Sequence, residues 1–380
     1  MTRTTKTLVL SVVFLSGLSA FFSLYSLAGF ISLFNTPLRG DLLLRSEELK
    51  LVLSGFDPAT VNAKYGYPSW AYVTSFLWFL PFGIDDSTNL YVFIQLIILC
   101  LAGLFLMLNI RSSLPPQLRL VILLGALPWF PLREQVNFLN YGIIVLAGLL
   151  VFVFSKNLAW KGIGLALALI KPALCVPAII VSIFKGSNLK TIIMPLVIAC
   201  IALVIQAAVA LHLYSGGLSS ISTVFSRYLP SGSTSNSYYV SGDYGILNKL
   251  VKLDVLPESL AIMLLIAGMT SILYWLRFRN ADRCVDPIDF QMLSFGLVPL
   301  FTFYRSHDLV IIWPALYIIL LNICDMRRAK QWIAFLVILF LLYYRGSGGG
   351  SLYLYAFSLA SYLLVKYPPR MLSQAFAACK

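Results

Sequence analysis

Charge is scarce in this chain of 380 residues: Asp, Glu, Lys and Arg make up 11% of it and 59% is hydrophobic, where a soluble domain has roughly 25% charged and 45–50% apolar residues. So few charges cannot solvate a surface around that much apolar side chain, which excludes an ordinary soluble fold. Histidine is rarer still, at two residues, and the six cysteines show no CxxC or Cys/His spacing. Neither a zinc site nor a disulfide is expected. Cys100, Cys175 and Cys200 lie inside apolar runs, and Cys284, Cys324 and Cys379 near predicted inner ends. Soluble-domain composition, coiled-coil heptads and long polar linkers are missing. The second half does not repeat the first, so the repeats common in transporters are not visible. The glycine-rich stretch 346–351 lacks the Lys-[Ser/Thr] of a phosphate-binding loop and reads as a tight turn. The apolar runs also lack the period-two alternation of barrel strands, which leaves helices as the way to satisfy the backbone in lipid.

What is present is a succession of apolar runs long enough to cross a hydrocarbon core of about 30 Å. The first, 8–34, follows Arg3 and Lys6 and is too long for a signal h-region. It reads as an uncleaved first crossing, with cleavage after Ala28 as the alternative. Placing the N-terminus inside and reversing at each polar break predicts an all-α polytopic membrane protein with about 12 crossings, both termini being cytoplasmic. They fall near 8–34, 88–110, 118–131, 138–155, 162–170, 172–184, 191–213, 256–276, 287–303, 309–324, 331–344 and 351–366. Most of the 28 basic residues then fall inside, as the positive-inside bias requires. The formal charge of +13 is scattered at the ends of apolar runs, a topology signal that points away from nucleic acid. Lysines flank 162–184 on both sides, so that segment should enter, break at Lys171-Pro172 and return. The whole chain, 1–380, reads as one membrane domain. Its two largest polar segments, a first loop at 35–87 and a second at 214–255, share the outer side.

Several residues in these outer segments carry chemistry. Asp41 stands at the start of an amphipathic stretch, 42–53, that suits a helix lying on the membrane. A helix N-terminus favours the ionised carboxylate, which suits a general base; plain helix capping is the alternative. The segment 69–84 reads as an outer-leaflet or re-entrant helix. Arg133, Glu134, Gln135 and Asn137 meet at the next outer boundary, where a charge needs a partner or a ligand. Lys171 lies at the predicted break, placed to face an anionic group or to snorkel outward. Arg305-Ser306-His307-Asp308 sits at another outer turn; His307 suits a phosphate oxygen, and a plain polar turn explains it as well. The loop carrying Tyr238 and Tyr239 mixes hydroxyls, amides and aromatic rings in a way that suits sugar recognition and equally any flexible loop.

In order along the chain, Asp41, Gly55-Phe56-Asp57-Pro58, Tyr67-Pro68, Gln135-Val136-Asn137 and Lys171-Pro172 resemble the bacterial polyprenyl-phosphate-dependent mannosyltransferase-like family, glycosyltransferase family 87. The similarity spans about 41–185, with a looser echo at Ser306-His307. Two positions depart from the family pattern: Ser69 stands where a second proline is common, and Glu134 where a glycine precedes Gln135. The resemblance implies a GT-C-type fold whose first outer loop forms membrane-lying helices over a cavity. It also implies inverting transfer of a hexose, mannose among the candidates, from a polyprenyl-phosphate donor to a lipid or glycan acceptor. The reaction would run on the outer face of the bacterial plasma (inner) membrane, with Asp41 as base. Arg133, Lys171, Arg305 and His307 are the expected donor-phosphate groups, and Asp57, Tyr65, Tyr67, Gln135, Asn137, Tyr238 and Tyr239 the expected substrate contacts. Neither metal nor cofactor is required, because fixed cations can meet the developing charge.

The alternative is a multi-pass transporter or lipid-linked sugar flippase, which predicts charges at mid-membrane with access from both sides. The orientation is testable directly in a cysteine-less background. Ser235→Cys should react with a membrane-impermeant maleimide in intact cells, and Ser187→Cys only after permeabilisation. The reverse pattern would invert the topology.

Overall fold

The computed structural model describes residues 87–138, 140–185, 190–213, 287–301 and 306–324, with isolated positions within 6–18, 47–56, 260–271 and 355–363. Among these residues the fold is helical, with no strand. In chain order the elements are α1 (Ser87–Asn109), α2 (Pro116–Ala126), α3 (Trp129–Phe138), α4 (Gly142–Phe154), α5 (Leu158–Ala168), α6 (Pro172–Lys185), α7 (Lys190–Leu213), α8 (Pro287–Gly296), α9 (Val298–Phe301), a 3-10 helix (Ser306–Ile312) and α10 (Trp313–Cys324). Each predicted crossing that falls in these segments holds a helix, the short ones expected at 162–170 and 172–184 included, while the runs at 118–131, 287–303 and 309–324 are each divided in two. By length and composition the 18-residue window Val92–Asn109 can cross a membrane by itself; α7 is 24 residues long, and the other apolar helices among the described residues are shorter.

The breaks have local causes. The run predicted at 118–131 splits into α2 and α3 where Pro128 follows Leu127. The Leu127 N–H turns to the Leu124 carbonyl, which leaves the Leu123 carbonyl without its helical donor. The indole Nε1–H of Trp313 fills that place at 2.8 Å, and Gly103 leaves the space in α1 for the same ring. Between α4 and α5 the chain turns in three residues; Asn157 caps α5 by accepting from the N–H groups of Ala159 at 2.8 Å and Trp160 at 3.3 Å. At the end of α5, Pro172 has no N–H to give, and Lys171 N–H bonds the Ala168 carbonyl instead. The Lys171 carbonyl then receives the Leu174 N–H, so Lys171 closes one helix and opens the next.

Helices α4 and α5 form a close antiparallel hairpin. A Cβ added at Gly148 would lie 2.6 Å from the Gly164 carbonyl oxygen, and one at Gly164 would lie 2.6 Å from the Gly148 carbonyl oxygen. The backbones touch, which only glycine permits on both sides. This register sets Gly142 opposite Ile170. A Cβ at Gly162 would run into Ile198 of α7, so the first halves of α5 and α7 meet. Had α6 continued the direction of α5, Lys185 would lie roughly 34 Å beyond Gly162, farther than the roughly 29 Å over which the connection and two turns of α7 can return. α6 therefore does not continue the line of α5, and the chain breaks at Lys171-Pro172 as expected.

The assembly has two ends. One holds the N-terminal half of α1, the α3–α4 turn and the α5–α6 break. The other holds the C-terminus of α1, where Arg119 donates to the carbonyls of Met107 and Ile110, and the α4–α5 turn, beside which Phe154 meets Phe105 edge-on at 6.0 Å. Elsewhere, Tyr362 donates to the buried Asp289 carboxylate at 2.9 Å and accepts from Asn322 at 2.7 Å.

Helix α1 is apolar all round. Val92, Leu99, Ala102 and Leu106 face inward while Phe93, Ile97, Leu101, Leu104 and Leu108 form an exposed stripe. The outward face of α7 carries Ile193, Val197, Ile201, Val204 and Ile205 in the same way. Substituting Gly148→Val should destabilise the α4–α5 hairpin by about 1–3 kcal/mol or more, the usual cost of overpacking, seen as a lower Tm in detergent. A Tm equal to that of the native protein would refute the backbone contact.

Candidate functional site

The site grows out of the α3–α4 turn. The Gln135 carbonyl at the end of α3 accepts the Asn140 N–H at 3.2 Å, and the Gln135 side-chain amide donates to the Asn140 carbonyl. A second amide arrives from α1, where Gln95 Nε2 donates to that same carbonyl at 3.1 Å. The Asn140 side-chain oxygen accepts the Tyr141 N–H at 2.7 Å. One turn is thus held by two glutamines, both wholly buried. Among the described residues the side-chain oxygens of Gln95 and Gln135 are buried with no hydrogen-bond donor, an unusual outlay in a core where polar atoms are nearly always paired. Gly142 is required beside them: a Cβ there would sit 2.5 Å from Gln135 Oε1.

The second component lies at the α5–α6 break. Lys171 Nζ donates to Asp308 Oδ1 at 2.5 Å, and the two side chains are 10% and 8% exposed. The ammonium has therefore not snorkelled; it is turned inward and its charge is met by a carboxylate from the 3-10 helix. Burying either charge alone would be costly, and the pair offsets this only with such geometry. An ammonium has three N–H groups; Asp308 takes one.

The two components are neighbours. Helix α3 packs against the 3-10 helix that carries Asp308. The α4–α5 register brings Gly142, and with it Gln135 Oε1, to the level of Ile170, within about one interhelical spacing of 8–10 Å. Three turns chosen from sequence for their polar residues, 133–140, 170–172 and 306–308, thus converge on one end of the helices.

Of the expected site residues, Lys171 and Gln135 are brought together here. Arg133 and Asn137 stand on α3 and His307 on the 3-10 helix, which sets their backbones at this end. Asp41, Asp57, Tyr65, Tyr67, Tyr238, Tyr239 and Arg305 lie outside the described residues, as does most of the first loop. Within that loop Glu47, Lys50 and Leu51 are helical, inside the stretch expected to form an amphipathic helix, and the Phe56 N–H bonds back to the Leu51 carbonyl at 2.9 Å. Two members were missed. Gln95 was legible as a lone amide inside an apolar run, which marks a residue with a polar partner. Asp308 was legible as the carboxylate that a buried Lys171 demands; the reading had stopped at its neighbours Arg305 and His307.

Comparison with protein-family models, curated proteins and solved structures finds no match. The family resemblance therefore rests on the ordered residues quoted above.

The ion pair makes a clear energetic prediction. Lys171→Met and Asp308→Asn, each leaving an imperfectly met buried group, should each lower stability, the former by about 3–5 kcal/mol, whereas Lys171→Met with Asp308→Leu should be near neutral or stabilising. Additive losses in the double variant, measured by thermal unfolding in detergent, would mean that the two groups do not form a pair.

Proposed function

We propose that this chain is a membrane glycosyltransferase that moves a hexose from a polyprenyl-phosphate donor to a lipid or glycan acceptor, with inversion and with Asp41 as the general base. The observation that carries the reading is the convergence, at one end of the helices, of polar turns nominated independently by the ordered motifs. A transport pathway would instead call for charges at mid-depth that are reached from both ends. Here the ion pair and the glutamine node gather at one end, and Arg119 stands at the other.

Membrane embedding is supported by helices that are apolar on both faces. A helix hydrophobic all round belongs in a core or in lipid, and the exposed stripes on α1 and α7 have no place facing water. In a bilayer, the 14 residues from Gln95 to Asn109 separate the node from the Arg119 end by about 21 Å. With one end at an interface, the node would lie some 10 Å beneath the other surface, a depth at which lipid-borne substrates enter laterally.

In the proposed reaction the acceptor hydroxyl attacks the anomeric carbon while Asp41 takes its proton, and the bond to the phosphate oxygen breaks. Cations stabilise the departing phosphate. Asp308 neutralises Lys171, so this role falls to Arg133 and Arg305, which flank the same turns in sequence.

The test is transfer from radiolabelled polyprenyl-phosphate hexoses in membranes containing the native protein or Asp41→Asn. The variant should lose roughly 100-fold or more, the scale of general-base catalysis. Equal turnover by a folded variant removes Asp41 from the mechanism, and solute accumulation in sealed vesicles without glycosidic product identifies a transporter.

A further inference from the structure

The glutamine node and the ion pair share a property that neither explains alone: each has unused hydrogen-bonding capacity, and together they carry no net charge. Lys171 has N–H groups beyond the one given to Asp308. Gln95 Oε1 and Gln135 Oε1 are acceptors on wholly buried side chains and have no donor among the described residues. A ligand that satisfies both must accept a hydrogen bond at one point and donate at another. The phosphodiester of a polyprenyl-phosphate sugar can only accept, since its oxygens carry no proton. It would also meet the Asp308 carboxylate, whose charge already cancels that of Lys171, so its own burial would go uncompensated. A neutral hydroxyl does both: its oxygen accepts from the ammonium and its proton goes to a glutamine carbonyl.

We propose that Lys171, Gln135 and Gln95 form a hydroxyl-binding subsite for a neutral polyhydroxylated ring, a hexose, with Asp308 as the residue that positions the ammonium. This deepens the sugar-transfer reading and rests on it for the choice of hexose among polyols. It assigns Lys171 to the sugar and away from the phosphate. Adjacent hydroxyls on a hexose lie about 2.8–3 Å apart, the span of one hydrogen bond, so a pair of them reaches from the ammonium toward an amide oxygen. Groups buried in this way enforce strong discrimination, because a ligand lacking the hydroxyl leaves them unpaired.

The test uses the purified full-length protein in a non-glycosidic detergent and reads the shift in Tm with three probes at sub-micellar concentration: octyl hexosides (mannoside and glucoside), the matching methyl hexosides, and octyl phosphate. Octyl hexosides should raise Tm and octyl phosphate should not. The charge-free double variant Lys171→Met with Asp308→Leu, which keeps the packing, and separately Gln135→Met should each weaken octyl hexoside binding roughly tenfold, the effect of one charge-assisted or buried hydrogen bond. Stabilisation by octyl phosphate without stabilisation by hexosides overturns the subsite. So does the absence of any shift, and so does hexoside binding that is unchanged in both variants. Equal stabilisation by methyl and octyl hexosides keeps the subsite and makes its ligand a free sugar. Hexoside binding through these residues by a protein that transfers no hexose would refute the transferase reading and leave the subsite standing. Transfer that is insensitive to both variants would refute the subsite alone.

Discussion

Neither Lys171 nor Asp308 can be buried without the other, and that constraint ties together parts of the chain 137 residues apart. A buried ammonium and a buried carboxylate each carry a large desolvation cost, and direct contact at good geometry is what offsets it. The pair therefore fixes two irregular stretches of backbone at once. One is the interruption where Pro172 ends α5 and begins α6; the other is the 3-10 helix before α10. Neither stretch has the i→i−4 ladder of an α-helix, and the pair ties one to the other.

Around that contact the apolar packing is shaped by small residues and breaks. Glycines at 148 and 164 let two backbones touch, which aligns Gly142 with Ile170 and so sets the glutamine node beside the ion pair. Trp313 occupies the gap beside Gly103 and supplies the donor that the Leu123 carbonyl lost when α2 ended. The short helices are thus a consequence of interruptions that bring polar backbone and polar side chains to one level. In a lipid environment, irregular backbone is tolerated only where protein or a polar cavity surrounds it. The convergence of three such interruptions at one end agrees with a site there.

Much of this was legible in the sequence. Hydropathy located α1 to within a residue at each end, and placed the starts of α6, α7 and α8 almost as closely, because proline and charge mark those boundaries chemically. The break at Lys171-Pro172 was legible from the proline and from lysines on both flanks. Helix length was not: a continuous apolar run such as 118–131 looks like one span until Pro128 diverts the chain, and periodicity cannot show that Leu127 will bond back to Leu124. The partner of Lys171 was equally hidden, since no local rule links residues 137 positions apart. Only the general demand that a buried cation find an anion pointed to it. Gln95 was overlooked because a single amide barely lowers the hydropathy of a run, although its burial makes each of its bonds count more than those of a surface residue.

Charge neutrality at this level has a chemical consequence for the proposed reaction. Transfer from a polyprenyl-phosphate sugar separates a ring that is neutral at the start from a phosphate that gains negative charge at the end. A site serving both should hold the ring with groups of no net charge and meet the phosphate with unneutralised cations. A net cation under the ring would oppose the positive charge that develops at the anomeric carbon, and a net anion would repel the leaving group. The Lys171–Asp308 pair with the two glutamines satisfies the first requirement, since its strong donors come without a field. In the proposed reaction Arg133 and Arg305, set beside the same turns in sequence, are the candidates for the second. The division explains why a lysine at a helix break, the obvious phosphate ligand, should be matched with an aspartate: the match converts a point charge into a directional donor.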